Sequence, residues 1–175
     1  VEVSLNALIF GAAIILAAAT TADPLLPARS GQAQCYAPDT SRKTCRAFAQ
    51  YRFSNDNRIE NIAQVLISPN GPVVMMTASP VTVRAGAVCG TLRADDVLMA
   101  GFIVAGRSAN EDLAEQIRKQ ILPAMAKDFG KEVCTTYVPS DSGFTTKVTV
   151  DGAAHPELMD KVIWVNLNEG YGVAP

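Results

Sequence analysis

Glu111–Phe129 reads EDLAEQIRKQILPAMAKDF, and the fold class expected for this chain turns on it. Leu113, Ile117, Ile121, Met125 and Phe129 recur every four residues, with Ala114, Leu122 and Ala126 widening the stripe. That period places them on one face of an amphipathic helix. Glu111, Asp112 and Glu115 sit where the positive end of the helix dipole favours carboxylates, and Lys127 sits near the opposite end. Ser108-Ala109-Asn110-Glu111 offers a capping box, with Asn110 as the alternative cap, and Gly130 suits the position after the last turn. Pro123 interrupts the pattern and is expected to kink the helix or divide it in two.

Strand periods flank this helix. On the N-terminal side Ala47, Ala49, Tyr51 and Phe53 alternate with Arg46, Gln50 and Arg52, and only Phe48 breaks the rule. Ser54–Asn57 is a turn cluster before Ile59–Ile67, so the two runs are expected to pair as a hairpin. Val73–Thr77 and Val81–Arg84 read as short strands separated by Pro80. Val88-Cys89 reads as a bent strand between Gly86 and Gly90, Phe102–Val104 as another, and Arg93–Ala100 as either helical turn or strand. On the C-terminal side come Val133–Val138 and then Phe144–Val150, which alternates cleanly. Lys161–Leu167 is apolar on both faces, as a central strand would be, and the tail from Asn168 has little power to form structure. The expected fold class is α+β, with an antiparallel or mixed β-sheet and one long amphipathic helix packed on one face. There is no βαβ alternation, so a doubly wound nucleotide fold is not expected.

The N-terminal stretch carries a different signal. Ala7–Ala19 holds thirteen residues without a charge, the length of a signal-peptide core and short of the roughly 20 that span a bilayer. Ala17 and Ala19 provide the small side chains a signal peptidase requires, although Glu2 stands where a positive residue is usual. Residues 1–22 are therefore expected to be a signal peptide, residues 23–34 a flexible lead-in, and residues 35–175 a single disulfide-stabilised domain. Such a protein is periplasmic or secreted and meets the membrane only during export.

Cys35, Cys45, Cys89 and Cys134 form an even set suited to an oxidising compartment. Of the three possible pairings, Cys35–Cys45 with Cys89–Cys134 is favoured. Pro38-Asp39 turns the first loop, and the second bond links a strand before the helix to one after it. Chain-entropy bookkeeping gives about 3 and about 4 kcal/mol for these closures. There is no C-x-x-C, and the single histidine is far from the cysteines in sequence, so no metal site is expected.

A formal net charge of −2 gives no electrostatic footprint for nucleic acid. No cofactor fingerprint or catalytic motif is present in the sequence. Asp95-Asp96 are adjacent and diverge in direction, so they suit capping or solvation better than paired-carboxylate chemistry. The chain is thus read as an exported non-catalytic binding or envelope-interaction module. Its partner would be another envelope protein, a peptide or a cell-wall component. One alternative is a hydrolase-type enzyme whose site converges from His155, Asp95, Asp96, Ser140 and Tyr137. Another is a small-molecule carrier, which would hold an apolar cavity between helix and sheet.

Overall fold

The computed structural model describes residues 23–175, and eight of its strands close into an antiparallel barrel. In chain order the staves are β1 (Gln32–Tyr36), β2 (Ala47–Phe53), β3 (Ile59–Ser68), β4 (Val73–Arg84), β5 (Ala87–Thr91), β6 (Glu132–Ser140), β7 (Gly143–Val150) and β8 (Lys161–Asn166). Each pairs with the next. β8 then returns to β1, with Gln32 opposite Asn166 and Tyr36 opposite Val162, to complete an up-and-down meander. The expected leader, residues 1–22, lies outside the described residues. Among the described residues no helix is long and apolar enough to cross a membrane.

Closure overturns the α+β expectation. A sheet that meets itself encloses its own core instead of burying one broad face under a long helix, and the molecule is mostly β. The predicted helix forms as α3 (Glu111–Met125) but stops two residues past Pro123, short of Phe129. Asn110 caps it by accepting a hydrogen bond from the Leu113 amide at 3.0 Å. α3 belongs to an excursion between β5 and β6 that also contains α2 (Ala94–Leu98) and a short hairpin, Gly101–Val104 with Arg107–Ser108. Its Ala114, Ile117 and Ile121 pack on Phe102, Val73 and Met75, an offshoot of the barrel rather than a broad sheet. The guanidinium of Arg118 fastens it there by donating to the Ala100 carbonyl at 2.9 Å.

Pro80 does not divide its strand. β4 runs through it because β4 changes partner on that side, from the Gly101–Val104 strand at Val73–Met76 to β5 at Val81–Arg84. The Pro80 carbonyl faces the β5 side. In an antiparallel strand the N–H of a residue points the same way as its carbonyl, so the missing donor falls in the gap between the two partners. α2 occupies that gap, and Ser79 Oγ donates to Asp96 Oδ2 at 2.8 Å across it. Three hairpin turns, Ala85-Gly86, Ala105-Gly106 and Asp151-Gly152, place both central residues at positive φ, the geometry that suits the strand twist.

Both disulfides join neighbouring segments from outside, Cys35 to Cys45 and Cys89 to Cys134. Cys89 and Cys134 are directly opposite in the β5–β6 register. Two such bonds are consistent with an oxidising environment. Around the first, Ala33, Cys35, Cys45, Phe48 and Val165 form an outer cluster beneath Tyr171 and Val173. Phe48 breaks the alternation of β2 because it is wanted here. The C-terminal tail, expected to be structureless, covers this cluster and pairs Gly172-Val173 with Thr44-Cys45.

The folded region also begins before Cys35. α1 (Leu26–Arg29) and the preceding Leu25 close one end of the barrel, where Leu25 and Ala28 pack with Phe53, Ile59, Val83, Val88 and Trp164. Asp23 organises this plug, accepting from the Leu25 amide at 2.9 Å and from Arg29 Nε at 2.7 Å. The hydrogen bond from Arg29 holds the Asp23 carboxyl below the usual carboxylate range. The Arg29 guanidinium stacks over the Phe53 ring at 4.2 Å. A stretch rich in Pro and Gly reads as a tether because its single buried leucine gives no period.

Candidate functional site

The register fixes which side chains enter the barrel. Gln34 and Tyr36 of β1 are opposite Ala49 and Ala47 of β2, and those alanines are opposite Ala63 and Val65 of β3. Tyr51 is opposite Asn61, which is opposite Ser79, while Ala63 is opposite Thr77. Gly90 faces Val81 on one side and Val133 on the other, and Val88 faces Thr135. Eight staves leave an interior that ordinary side chains just fill or that one small ligand occupies. Here the inward positions are unusually small: Ala47, Ala49, Ala63, Thr77, Ser79, Gly90 and Thr135. The interior is consequently not filled.

A cavity of about 240 Å³ remains. Met75, Val81, Val88 and Val133 contribute apolar wall, Leu92, Val97 and Met125 come from the excursion and roof it, and Tyr36, Tyr51 and Tyr137 bring hydroxyl-bearing rings. The roof is tied to the barrel by the Ser79–Asp96 bond, and Arg93 Nε lies 3.6 Å from Asp96 Oδ1 within the roof itself.

The three tyrosines converge on Gln34, which is fully buried. Gln34 Oε1 lies 2.7 Å from the Tyr51 hydroxyl, 3.0 Å from that of Tyr36 and 3.2 Å from that of Tyr137. The Tyr36 and Tyr137 hydroxyls are themselves 2.7 Å apart. Burial, reinforced by the neighbouring phenols, pushes the Tyr36 and Tyr51 hydroxyls well above the ordinary tyrosine range. They therefore remain protonated and neutral at physiological pH. Gln34 Nε2 and Asn61 Oδ1 are buried without a protein partner.

Of the residues singled out from the sequence, Tyr137 and Asp96 line this cavity. Asp95, their neighbour, faces solvent: its side chain is 75% exposed against 12% for Asp96. Ser140 lies at the exposed β6–β7 turn. His155 sits on the surface before a short 3₁₀ turn, where Nδ1 contacts Glu157 Oε1 at 2.6 Å. That bond holds the Glu157 carboxyl below its ordinary range. The five do not converge, so the structure does not assemble the separated-residue site considered for a hydrolase. Among the described residues no group of three or more His, Cys, Asp or Glu side chains is placed to hold a metal ion.

Set against models of known protein families, curated proteins and solved structures, the chain matches none. Its own geometry carries the functional reading.

Sequence reasoning missed Gln34, Tyr36, Tyr51 and Asn61. Gln34 lay in the supposed lead-in and Tyr36 in the loop between cysteines. A usable signal existed in β2 and β3, whose inward positions mix tiny residues with Tyr51 and Asn61. A packed core would place large aliphatic residues there.

Proposed function

We propose that this domain is a non-catalytic, small-molecule-binding module that works in the periplasm or outside the cell. The observation that carries the reading is the roofed interior cavity with its buried Gln34–tyrosine cluster. Pockets that bind small molecules are concave, mostly apolar and furnished with a few convergent polar groups. This one has that composition. At about 240 Å³ it is smaller than the roughly 300–1,000 Å³ of drug-sized sites, so the ligand must be compact. Among the described residues no nucleophile and base converge at the cavity, which favours holding a molecule over transforming it. The two disulfides suit an oxidising location.

A thermal-shift screen of compact organic molecules tests the reading, run in parallel on Thr135→Phe, which places a ring in the cavity. Ligands of the interior raise the Tm of the native chain and leave the filled variant unmoved. Hits that stabilise both proteins equally bind outside the barrel. That result would return the function to an envelope protein, peptide or cell-wall partner.

A further inference from the structure

We infer that α2 is a hinged strap over a window in the barrel wall, and that the occupant of the cavity enters and leaves beneath it. Such a gate rests on the binding-module reading and adds the control of access to the same site. The window comes from the change of partner along β4. That strand pairs with Gly101–Val104 through Val73–Met76 and with β5 through Val81–Arg84. Residues 77–80 are left between the two without a strand partner on that side. Thr77 and Ser79, within this stretch, line the cavity. A continuous ladder would seal the wall here with backbone hydrogen bonds. A helix of five residues lies across it instead.

The strap is fixed at its ends and lightly held in its middle. At one end the Leu92 amide donates to the Lys131 carbonyl at 2.9 Å, and the Leu92 carbonyl accepts from the Gly130 amide at 2.8 Å. At the other, Gly101 pairs with Met76, and the Ala100 carbonyl accepts from the Arg118 guanidinium at 2.9 Å. Among the described residues, the hydrogen bond that joins residues 93–99 to the barrel is the one from Ser79 Oγ to Asp96 Oδ2. The contacts of Arg93 with Asp95 and Asp96, and the bond from the Met99 amide to the Asp95 carbonyl, stay inside the strap. Val97 is the buried residue of α2, whereas Leu98 and Met99 are 48% and 84% exposed. One enclosed side chain and one polar tie between two fixed ends is the makeup of a lid that swings on its termini.

The opposite end of the barrel is the poorer exit. There α1 sets Leu25 and Ala28 inside, and Asp23 holds both the Leu25 amide and Arg29, whose guanidinium covers Phe53. Withdrawing that plug would expose Leu25, which has no accessible surface, together with Ala28, more apolar area than lifting Val97 exposes. Val97 and Asp96 both line the cavity, so an occupant makes contacts with the closed strap that the open one lacks. Binding therefore favours closure, and opening of the strap sets the pace of exchange.

Benzene is the probe, because it enters apolar cavities of about 150 Å³ and makes no demand on the polar groups of this one. Its exchange is followed by NMR on the full chain, from the methyl resonances of Met75 and Met125. Ser79→Ala removes the latch and leaves both anchors in place. Association and dissociation should each quicken about tenfold, the worth of one net hydrogen bond. The closed form still dominates, so Kd should move by less than about threefold. Asp96→Asn, which keeps the shape of the side chain, should act in the same direction and serves if Ser79→Ala does not fold. Asp23→Ala, at the plug, should leave both rates within about twofold. Unchanged rates in Ser79→Ala and Asp96→Asn, or a change in Kd carried by one rate alone, overturn the gate. Faster exchange in Asp23→Ala alone moves the entrance to the plug and overturns it as well. In each of these cases benzene still binds and the cavity stands. No binding of benzene to the native chain, or binding that Thr135→Phe does not diminish, overturns the cavity reading and the gate together.

Discussion

Leu25→Ala should destabilise the barrel far more than its position at the edge of the described chain would imply. Leu25 has no exposed surface, and its neighbour Leu26 is 63% exposed. Removing three buried carbons forfeits about 2.4 kcal/mol at about 0.8 kcal/mol per methylene. Incomplete relaxation around Ala28, Phe53, Ile59 and Val83 raises the total to about 3–5 kcal/mol. Leu26→Ala, which vacates nothing enclosed, should stay within about 0.5 kcal/mol. Urea denaturation of the oxidised protein reads both variants through Trp164, whose ring belongs to the same cluster. The Leu25→Ala midpoint should drop at an unchanged slope, since the surface exposed on unfolding is nearly the same. Equal small losses for the two leucines would refute the plug and return residues 25–34 to the role of a tether.

Three other outcomes follow from the same structure. Burial raises the folded-state pKa of Tyr36 and Tyr51 above the unfolded value, so their contribution is full below about pH 10 and is lost as pH rises through the folded values. Tyr36→Phe combined with Tyr51→Phe should flatten that alkaline loss in denaturation measured across the range, and an unchanged slope would contradict the cluster. Replacing Cys89 and Cys134 by alanine should cost about 4 kcal/mol against about 3 kcal/mol for Cys35 and Cys45, because the closed loops differ in length. Paired denaturation curves check the order, and its reversal would show that chain entropy does not dominate here. His155→Ala should change stability by less than about 0.5 kcal/mol, given its surface pairing with Glu157. A large loss would reveal a role that the surface position does not account for.

Local features were legible because they are written in neighbouring residues. The hairpin of β2 and β3, the clean alternation of β7, the helix from Glu111 and the turn at Asp151-Gly152 all declare themselves within short windows. So did the apolar character of β8 on both faces: Val162 and Trp164 look into the barrel, while Ile163 and Val165 join the outer cluster. The barrel was not legible because its closure joins β1 to β8, and no local period connects Cys35 with Ile163. Pro80 looked like a strand end because the change of partner that accommodates it is a tertiary fact. The cavity was hidden for a related reason. Ala49, Ala63 and Thr77 look unremarkable one at a time, and only their alignment across three staves leaves a space.

The five methionines permit the most direct test of that space. Met75 lines it from the barrel wall and Met125 from the roof, while Met99 and Met159 are exposed on the outside. With methyl-labelled methionine, an NMR titration with a compact ligand from the thermal-shift screen should move the Met75 and Met125 resonances together and saturably. Met99 and Met159 should stay in place. Shifts confined to Met99 or Met159, or no shift at Met75 and Met125 at any ligand concentration the fold tolerates, would contradict a ligand cavity inside the barrel.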